Sequence, residues 1–147
     1  MATFRVRLSS AVPPDEAWRR VLDLRAHDRV IPLTRVTTGR SAAADLTAGS
    51  RFVARTGMGP VGFDDAMVVE SITPPRAAEP GSARIRKEGK VVRGSIDLHV
   101  QATPTGSVVS WTQDIHVRGV PRALGWLTAG ASRAAYGWAL RRLLRGD

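Results

Sequence analysis

The chain has 147 residues, of which 43% are hydrophobic, a formal net charge of +9 and no cysteine. This is the length of one ordinary domain, so we expect a single domain over residues 1–147 that buries roughly 70% of its unfolded surface. The lack of cysteine excludes disulfide frameworks, thiol catalysis and thiolate zinc sites.

The positive charge comes from arginine, which supplies all but two of the 22 basic residues. A basic surface can bind nucleic acid or an anionic membrane. The arginines are scattered over separate segments, however, and are not interleaved with the aromatic residues of a single-strand binding platform. We therefore predict no nucleic-acid partner and interpret the arginines as a solvated basic surface.

Targeting and membrane segments are not predicted. The N-terminal segment alternates in polarity, and no window approaches the roughly 18 continuous apolar residues of a membrane span. We expect a soluble, cytoplasmic protein without stable membrane insertion.

The first part of the chain predicts one strand and two helices. Residues 4–8 alternate between apolar and polar side chains, which is the period of a half-buried strand. A helix begins at Pro14, has an acidic first turn and carries Trp18 on its apolar face. A second helical turn near residues 27–31 ends before Pro32.

About six strand-like segments follow, separated by short turns. The turn "TPTG" joins the last two segments in a hairpin. We expect the hairpin to pair Val100 with Val109 and Leu98 with Trp111, because this register keeps the apolar residues on one face.

The chain ends in a predicted helix over residues 121–145 that is rich in small residues. It is the only element long enough to cover the apolar face of the sheet. The helical period gives the following face toward the sheet: Leu124, Leu127, Ala131, Ala134, Ala135 and Trp138. Large residues stand at the ends of this face and small ones in its centre, so we expect a cavity between a curved sheet and the middle of the helix.

This order of elements is similar to that of a known superfamily. The segments that carry the resemblance are "VRLSSAVPPDEAWRRVLD", "LTAGSRFVARTG", "MVVESITPP" and "TGSVVSWTQDIHVRG". They resemble the START-like superfamily, also called SRPBCC, which includes START domains, the major birch-pollen allergen and the polyketide cyclase/dehydrase and lipid-transport proteins. The resemblance implies an α+β helix-grip fold of the Bet v 1 type. In that fold a curved, antiparallel seven-stranded sheet wraps around the C-terminal helix, with a hydrophobic pocket between them.

The histidines do not indicate a metal site. His27 falls in the helical connection, while His99 and His116 fall on the polar faces of their strands. Since no two histidines share a metal-ligand spacing on one face, we predict neither a metal nor a cofactor.

The other candidate catalytic groups are also weak. Asp64 and Asp65 are adjacent in a strand and point to opposite faces, so they cannot both enter one pocket, and we interpret them as a solvated strand entry. The loop "GMGPVG" lacks the phosphate-loop pattern and predicts a hairpin turn. No serine stands in a nucleophile elbow, so we predict no catalytic residue.

Two polar residues are candidates for contact with a ligand. Gln113 lies on the apolar face of its strand, where its amide must bind a ligand, a neighbouring strand or water. Tyr136 could reach the mouth of the pocket, although a packing role at the helix edge is favoured.

We predict a ligand site formed by the inward faces of the strands and by the terminal helix. Its residues are Phe52, Ala54, Met67, Ile85, Ile96, Leu98, Val109, Trp111, Gln113, Leu127, Ala131, Ala134, Ala135 and Trp138. The leading hypothesis is a binding or carrier protein for a hydrophobic small molecule, lipid-like or polycyclic aromatic.

Two other classes of function remain open. The first is an aromatase/cyclase- or dehydratase-type enzyme, which needs two or more ionisable or hydroxyl groups inside the pocket, with Asp64 or Asp65 among the lining residues. The second is a membrane-surface or interaction module, in which Trp126, Leu140 and Leu144 on the outer helix face contact anionic lipids. Alternatively, that face packs on the first two helices or forms a homodimer contact.

Overall fold

The structure, a computed structural model, describes residues 2–30, 34–58 and 60–145, apart from the side chains of residues 28, 29 and 122. Strand β1 (Ala2–Ser10) leads into helices α1 (Pro14–Val21) and α2 (Leu24–Val30). The strands that follow are β2 (Thr34–Thr38), β3 (Arg51–Met58), β4 (Val61–Thr73), β5 (Gly81–Glu88), β6 (Val92–Thr103) and β7 (Gly106–Val117). Helix α3 (Gly125–Arg145) closes the fold, and the predicted stop of the second helix at Pro32 lies outside the described residues.

The seven strands form one antiparallel sheet in the order β1-β7-β6-β5-β4-β3-β2. The predicted register of the last hairpin is confirmed, since Val100 pairs with Val109 and Leu98 with Trp111. The sequence specifies this register because a slip by one residue would turn every apolar side chain of the hairpin to the opposite face.

Helix α1 begins at the predicted residue. Pro14 occupies its first turn, where a missing backbone N–H costs nothing, and Asp15 and Glu16 complement the positive end of the helix dipole. At the other end of the fold, the Arg20 guanidinium donates to the carbonyl oxygen of Leu144. Arg20 therefore ties α1 to the C-terminal end of α3, where free carbonyl groups need donors.

Helix α3 turns a different face to the core from the one that the sequence predicted. Its buried residues lie in the C-terminal half: Gly137, Ala139, Leu140, Leu143 and Leu144. The helix packs mainly against β1, α1 and α2. The predicted inner face is largely exposed, including Leu124, Leu127, Ala131 and Ala134.

The error in facing has a physical reason. Both sides of α3 carry apolar residues, so helical period alone does not distinguish them. The leucines near the C-terminus offer more apolar area than the alanines, and α1 and α2 supply a surface on which to bury it. Leu140 and Leu144 are therefore core residues, which contradicts their assignment to a membrane-contacting face and agrees with the alternative of packing on the first helices.

No helix within residues 2–30, 34–58 and 60–145 has both the length and the hydropathy that a bilayer span requires.

Candidate functional site

A cavity of about 500 Å³ lies between the inner face of the sheet and α3. Most of its lining is apolar and comes from strands β2 to β7, with contributions from α2, α3 and Leu22, which follows α1. A volume of this size is typical of small-molecule sites.

The cavity exists because α3 does not cover the whole sheet. The helix packs mainly against β1, which is an edge strand, and so leaves space over the inner faces of β3, β4 and β5. Strand alternation turns Phe52, Met67 and Ile85 into this space, and all three are almost completely buried.

The mouth of the cavity is marked by the lining residues that remain partly accessible. These include His27 on α2, Thr34 on β2, Thr56 on β3, and Ala135 and Trp138 on α3. The hydroxyl oxygens of Thr34 and Thr56 are 2.9 Å apart and form a hydrogen bond. A ligand would therefore enter between α2, α3 and the β2/β3 edge of the sheet.

A buried ion pair lies in the otherwise apolar wall of the cavity. The Lys87 ammonium on β5 donates to Asp65 Oδ2 on β4, and its Nζ is also 3.6 Å from Met67 Sδ. Only 1% of the Lys87 side chain and 12% of the Asp65 side chain are exposed. In the sheet, Lys87 pairs with Gly94 on β6.

Tyr136 on α3 completes this polar group. Its ring is stacked on Trp111, with ring centroids 5.5 Å apart, and lies against Phe4 at 5.6 Å. Its side chain lines the same cavity as Lys87 and contributes to the raised pKa of that lysine. The sequence left a packing role and a place at the cavity as alternatives for Tyr136, and the residue has both. We call Asp65, Lys87 and Tyr136 the polar anchor.

Lys87 remains protonated in this environment. Burial by itself lowers the pKa of the ammonium, but the interactions with the Tyr136 hydroxyl and the Asp65 carboxylate outweigh burial. The pKa of Lys87 is therefore raised above its ordinary value of 10.5.

Two buried polar atoms have no hydrogen-bond partner among the described residues: Asp65 Oδ1 and Gln113 Nε2. Gln113 Oε1 accepts a hydrogen bond from Trp111 Nε1 at 3.1 Å, so a neighbouring side chain satisfies half of the amide. Gln113 does not line the cavity, whereas Asp65 does. Of the two residues with an unpaired buried atom, Asp65 is therefore the one at the cavity.

Eight of the residues predicted from the sequence line the cavity: Phe52, Ala54, Met67, Ile85, Ile96, Trp111, Ala135 and Trp138. The six that do not are Leu98, Val109, Gln113, Leu127, Ala131 and Ala134. Leu98 and Val109 are fully buried on β6 and β7, against which α1 packs, so they belong to the core beneath that helix. The leucine and the two alanines of α3 lie on its exposed face.

The sequence predicted that His99, His116, Asp64 and Asp65 lie on the surface, and this is correct for three of the four residues. His99 and His116 are exposed, as the strand period predicts. Asp64 is also on the outer face, where it contacts Arg55 at 3.3 Å. The interpretation of Asp65 as a solvated residue is wrong, because the same alternation that exposes Asp64 turns Asp65 into the cavity.

The sequence contains a signal for Lys87, which the predicted site omits. Lys87 has the same strand parity as Ala83 and Ile85, which are buried. A lysine on an apolar face needs a partner of opposite charge, and Asp65 has the same parity as Met67 on the next strand. Within the described residues, no group of three or more His, Asp or Glu side chains could hold a metal ion.

Solved structures with the same fold cover nearly the whole chain. Ara h 8.0201 matches 97% of this chain and 97% of its own, with 15% identity and a TM-score of 0.63. TTHA0849 from Thermus thermophilus matches 97% of this chain and 94% of its own, with 15% identity and a TM-score of 0.68. DynU16, a putative protein in the dynemicin biosynthetic locus, matches 99% of this chain and 46% of its own, with 17% identity and a TM-score of 0.63.

These likenesses confirm the helix-grip fold of the Bet v 1 type, which was expected from the order of the strands and helices. A comparison with curated protein sequences gave no significant match. The sequence pattern of the polyketide cyclase / dehydrase and lipid transport family, by contrast, matches residues 1–146. The chain therefore belongs to the polyketide cyclase / dehydrase and lipid transport family, within the START-like superfamily.

Proposed function

We propose that the protein binds and carries a hydrophobic small molecule, lipid-like or polycyclic aromatic, in the cavity beneath α3. The observation that supports this most directly is an apolar cavity of about 500 Å³ with a mouth between α2, α3 and the sheet edge. A ligand that loses roughly 300 Å² of apolar surface gains about 7 kcal/mol before the cost of immobilising it. Apolar contact alone therefore supplies a driving force for binding.

Two alanines one turn apart on α3 allow a matched test. Ala135 lines the cavity, whereas Ala131 lies outside it. We expect Ala135→Leu to narrow the mouth and to weaken binding of Nile red, a neutral apolar dye, by about tenfold, which equals about 1.4 kcal/mol. Ala131→Leu should leave the affinity unchanged, and a fluorescence titration measures both. An equal effect of the two variants would show that the dye binds elsewhere.

The natural ligand can be sought in the purified protein. Native mass spectrometry of freshly purified protein, compared with the denatured mass, would reveal a retained molecule and its mass. Ligand-free protein that also fails to bind Nile red would contradict the proposed function.

A dehydratase- or cyclase-type enzyme acting on a polyketide-like substrate is a second candidate. The polar anchor meets its requirement of several ionisable or hydroxyl groups inside the cavity. In a β-hydroxy ketone, the Asp65 carboxylate would accept the α-proton while the C–O bond breaks and the Tyr136 hydroxyl protonates the leaving group, giving an enone and water. Formation of a conjugated enone, followed by absorbance and lost in Asp65→Asn, tests this candidate.

The remaining predictions concern location and partners. Action in the cytoplasm, the absence of a nucleic-acid partner, contact with an anionic surface and formation of a homodimer all stay predictions. Of the three residues proposed for surface contact, only Trp126 is exposed, at 71%.

A further inference from the structure

We propose that the cavity selects neutral ligands that carry an alcohol or phenol hydroxyl on an apolar skeleton, and that this hydroxyl binds between Asp65 Oδ1 and the Tyr136 hydroxyl. The inference rests on the proposed function, because it names the chemical class of the ligand that the cavity would hold.

The hydrogen-bonding capacity of Lys87 is already used within the protein. An ammonium group has three N–H donors and no acceptor. In this structure Nζ donates to Asp65 Oδ2 and lies 3.6 Å from the weak acceptor Met67 Sδ. Lys87 therefore holds Asp65 in place and, with only 1% of its side chain exposed, offers little to a ligand directly.

Asp65 has an acceptor that nothing in the described part of the chain satisfies. Its Oδ2 is paired with Lys87, whereas Oδ1 is buried without a hydrogen-bond partner. The residue is only 9% exposed and lines the cavity. Since a buried carboxylate oxygen is costly to leave unpaired, the missing partner is a hydrogen-bond donor located in the cavity.

Tyr136 supplies a complementary donor next to this acceptor. Its side chain lines the same cavity as Asp65, and no described residue accepts a hydrogen bond from its O–H. The same cavity wall therefore carries one unused acceptor, Asp65 Oδ1, and one unused donor, the Tyr136 O–H. A hydroxyl group satisfies both, because it donates and accepts, whereas an ether or ketone oxygen only accepts.

The charge of the polar anchor selects against ionised ligands. Asp65 and Lys87 together are neutral, and the other titratable lining residue, His27, lies at the mouth. A carboxylate or ammonium on the ligand would bring an uncompensated charge into a wall that is otherwise apolar, at a large desolvation cost. The ligand class is therefore neutral, apolar and hydroxylated.

Three probes with one skeleton test this selectivity: a naphthol, the corresponding methoxynaphthalene and the corresponding naphthoic acid. We expect the naphthol to bind the wild-type protein at least about tenfold more tightly than the other two, as measured by competition with Nile red. This is the order of magnitude of a hydrogen bond to a charged group. Equal affinity for the naphthol and methoxynaphthalene, as expected if a trapped water satisfies Asp65 Oδ1, would overturn the proposal, and so would tighter binding of the naphthoate.

Two variants connect the selectivity to the polar anchor. Tyr136→Phe should reduce the preference for the naphthol, since it removes the donor and keeps the ring. The double variant Asp65→Leu/Lys87→Met should abolish the preference and retain methoxynaphthalene binding. Asp64→Leu, next in sequence but on the outer face, is the matched control and should keep the full preference. Retention of the preference in Tyr136→Phe and in the double variant would overturn the assignment to these residues.

The outcomes separate the two proposals. If all three probes displace Nile red equally from the wild-type protein, the hydroxyl selectivity is wrong and the proposed carrier function stands. If neither the probes nor Nile red bind, the carrier function fails, and the selectivity fails with it.

Discussion

Asp65 and Lys87 place an ion pair in the interior of the fold. Both charges must lose most of their hydration on folding, and their attraction repays this cost only when the remaining hydrogen bonds are also made. One carboxylate oxygen is left unpaired among the described residues. Stabilisation of the fold therefore explains the ion pair poorly, whereas a place in the ligand site explains it well.

This balance predicts an asymmetry between single and double variants. Lys87→Met should lower the free energy of unfolding by about 3 to 5 kcal/mol, because it leaves the Asp65 carboxylate buried and uncompensated. The double variant Asp65→Leu/Lys87→Met should recover most of this loss, since two apolar side chains need no partner. Urea unfolding of the single and double variants measures the difference. A double variant less stable than Lys87→Met would mean that the pair stabilises the fold.

At the scale of strands, the sequence was sufficient for most of the architecture. Alternation gave the inward side chains of β3, β6 and β7, and the turn before β7 fixed the register of Leu98 with Trp111. The facing of β4 was not predictable, because apolar residues of both parities occur there and a bulge after Val69 shifts its pairing with β5. Asp65 was interpreted as a solvated residue, although it has the same strand parity as Met67, which the sequence placed in the site.

At the scale of helices, the sequence predicted a long terminal helix but not its facing, and α3 begins at Gly125, four residues after the predicted start at residue 121. A strand has only two faces, so alternation of polar and apolar residues identifies the buried one. A helix with apolar residues all around it offers many possible buried faces. The decision depends on what the helix packs against, and α1 and α2 together with β1 provide that surface. Lys87 and Tyr136, on β5 and α3, meet only after this tertiary arrangement is made.

Two leucines on α3 test the observed facing. Leu140 is 3% exposed and Leu127 is 49% exposed. Leu140→Ala should lower the free energy of unfolding by about 2 to 5 kcal/mol, because it leaves a cavity among packed helices. Leu127→Ala should change it by no more than about 0.5 kcal/mol, as is usual for surface positions. Chemical denaturation gives both values, and a larger loss for Leu127→Ala would restore the facing predicted from the sequence.

For the whole molecule, charge is divided between the two faces of the sheet. On the outer face, Arg84 contacts Glu70 at 3.3 Å and Asp97 at 2.8 Å, while Arg86 contacts both Glu70 and Glu88 at 3.2 Å. These pairs are exposed, so salt screens them and each contributes little. On the inner face, the ion pair of the polar anchor is shielded from solvent.

This division gives opposite signs to the effects of acid and base on stability. The arginine partners lower the pKa values of Glu16 and Glu88 below the ordinary value of 4.5. Their contribution is therefore present at neutral pH and is lost as the pH falls through the lowered values. The pKa of Lys87 is raised above 10.5, so its contribution is present below that pH and is lost as the pH rises beyond it.

Stability should consequently be level between about pH 5 and pH 10 and should fall on both sides of this range. Urea unfolding across the pH range, at low and high salt, measures this profile. The loss of stability at low pH is the acid limb of the profile, and the loss at high pH is the alkaline limb. High salt should weaken the acid limb, which depends on exposed ion pairs. It should leave the alkaline limb in place, because the buried pair is screened much less. The variant Asp65→Leu/Lys87→Met should lose the alkaline limb and keep the acid limb. Because Tyr136 remains in this variant, an alkaline limb that persists would assign the effect to Tyr136 and contradict its origin in Lys87.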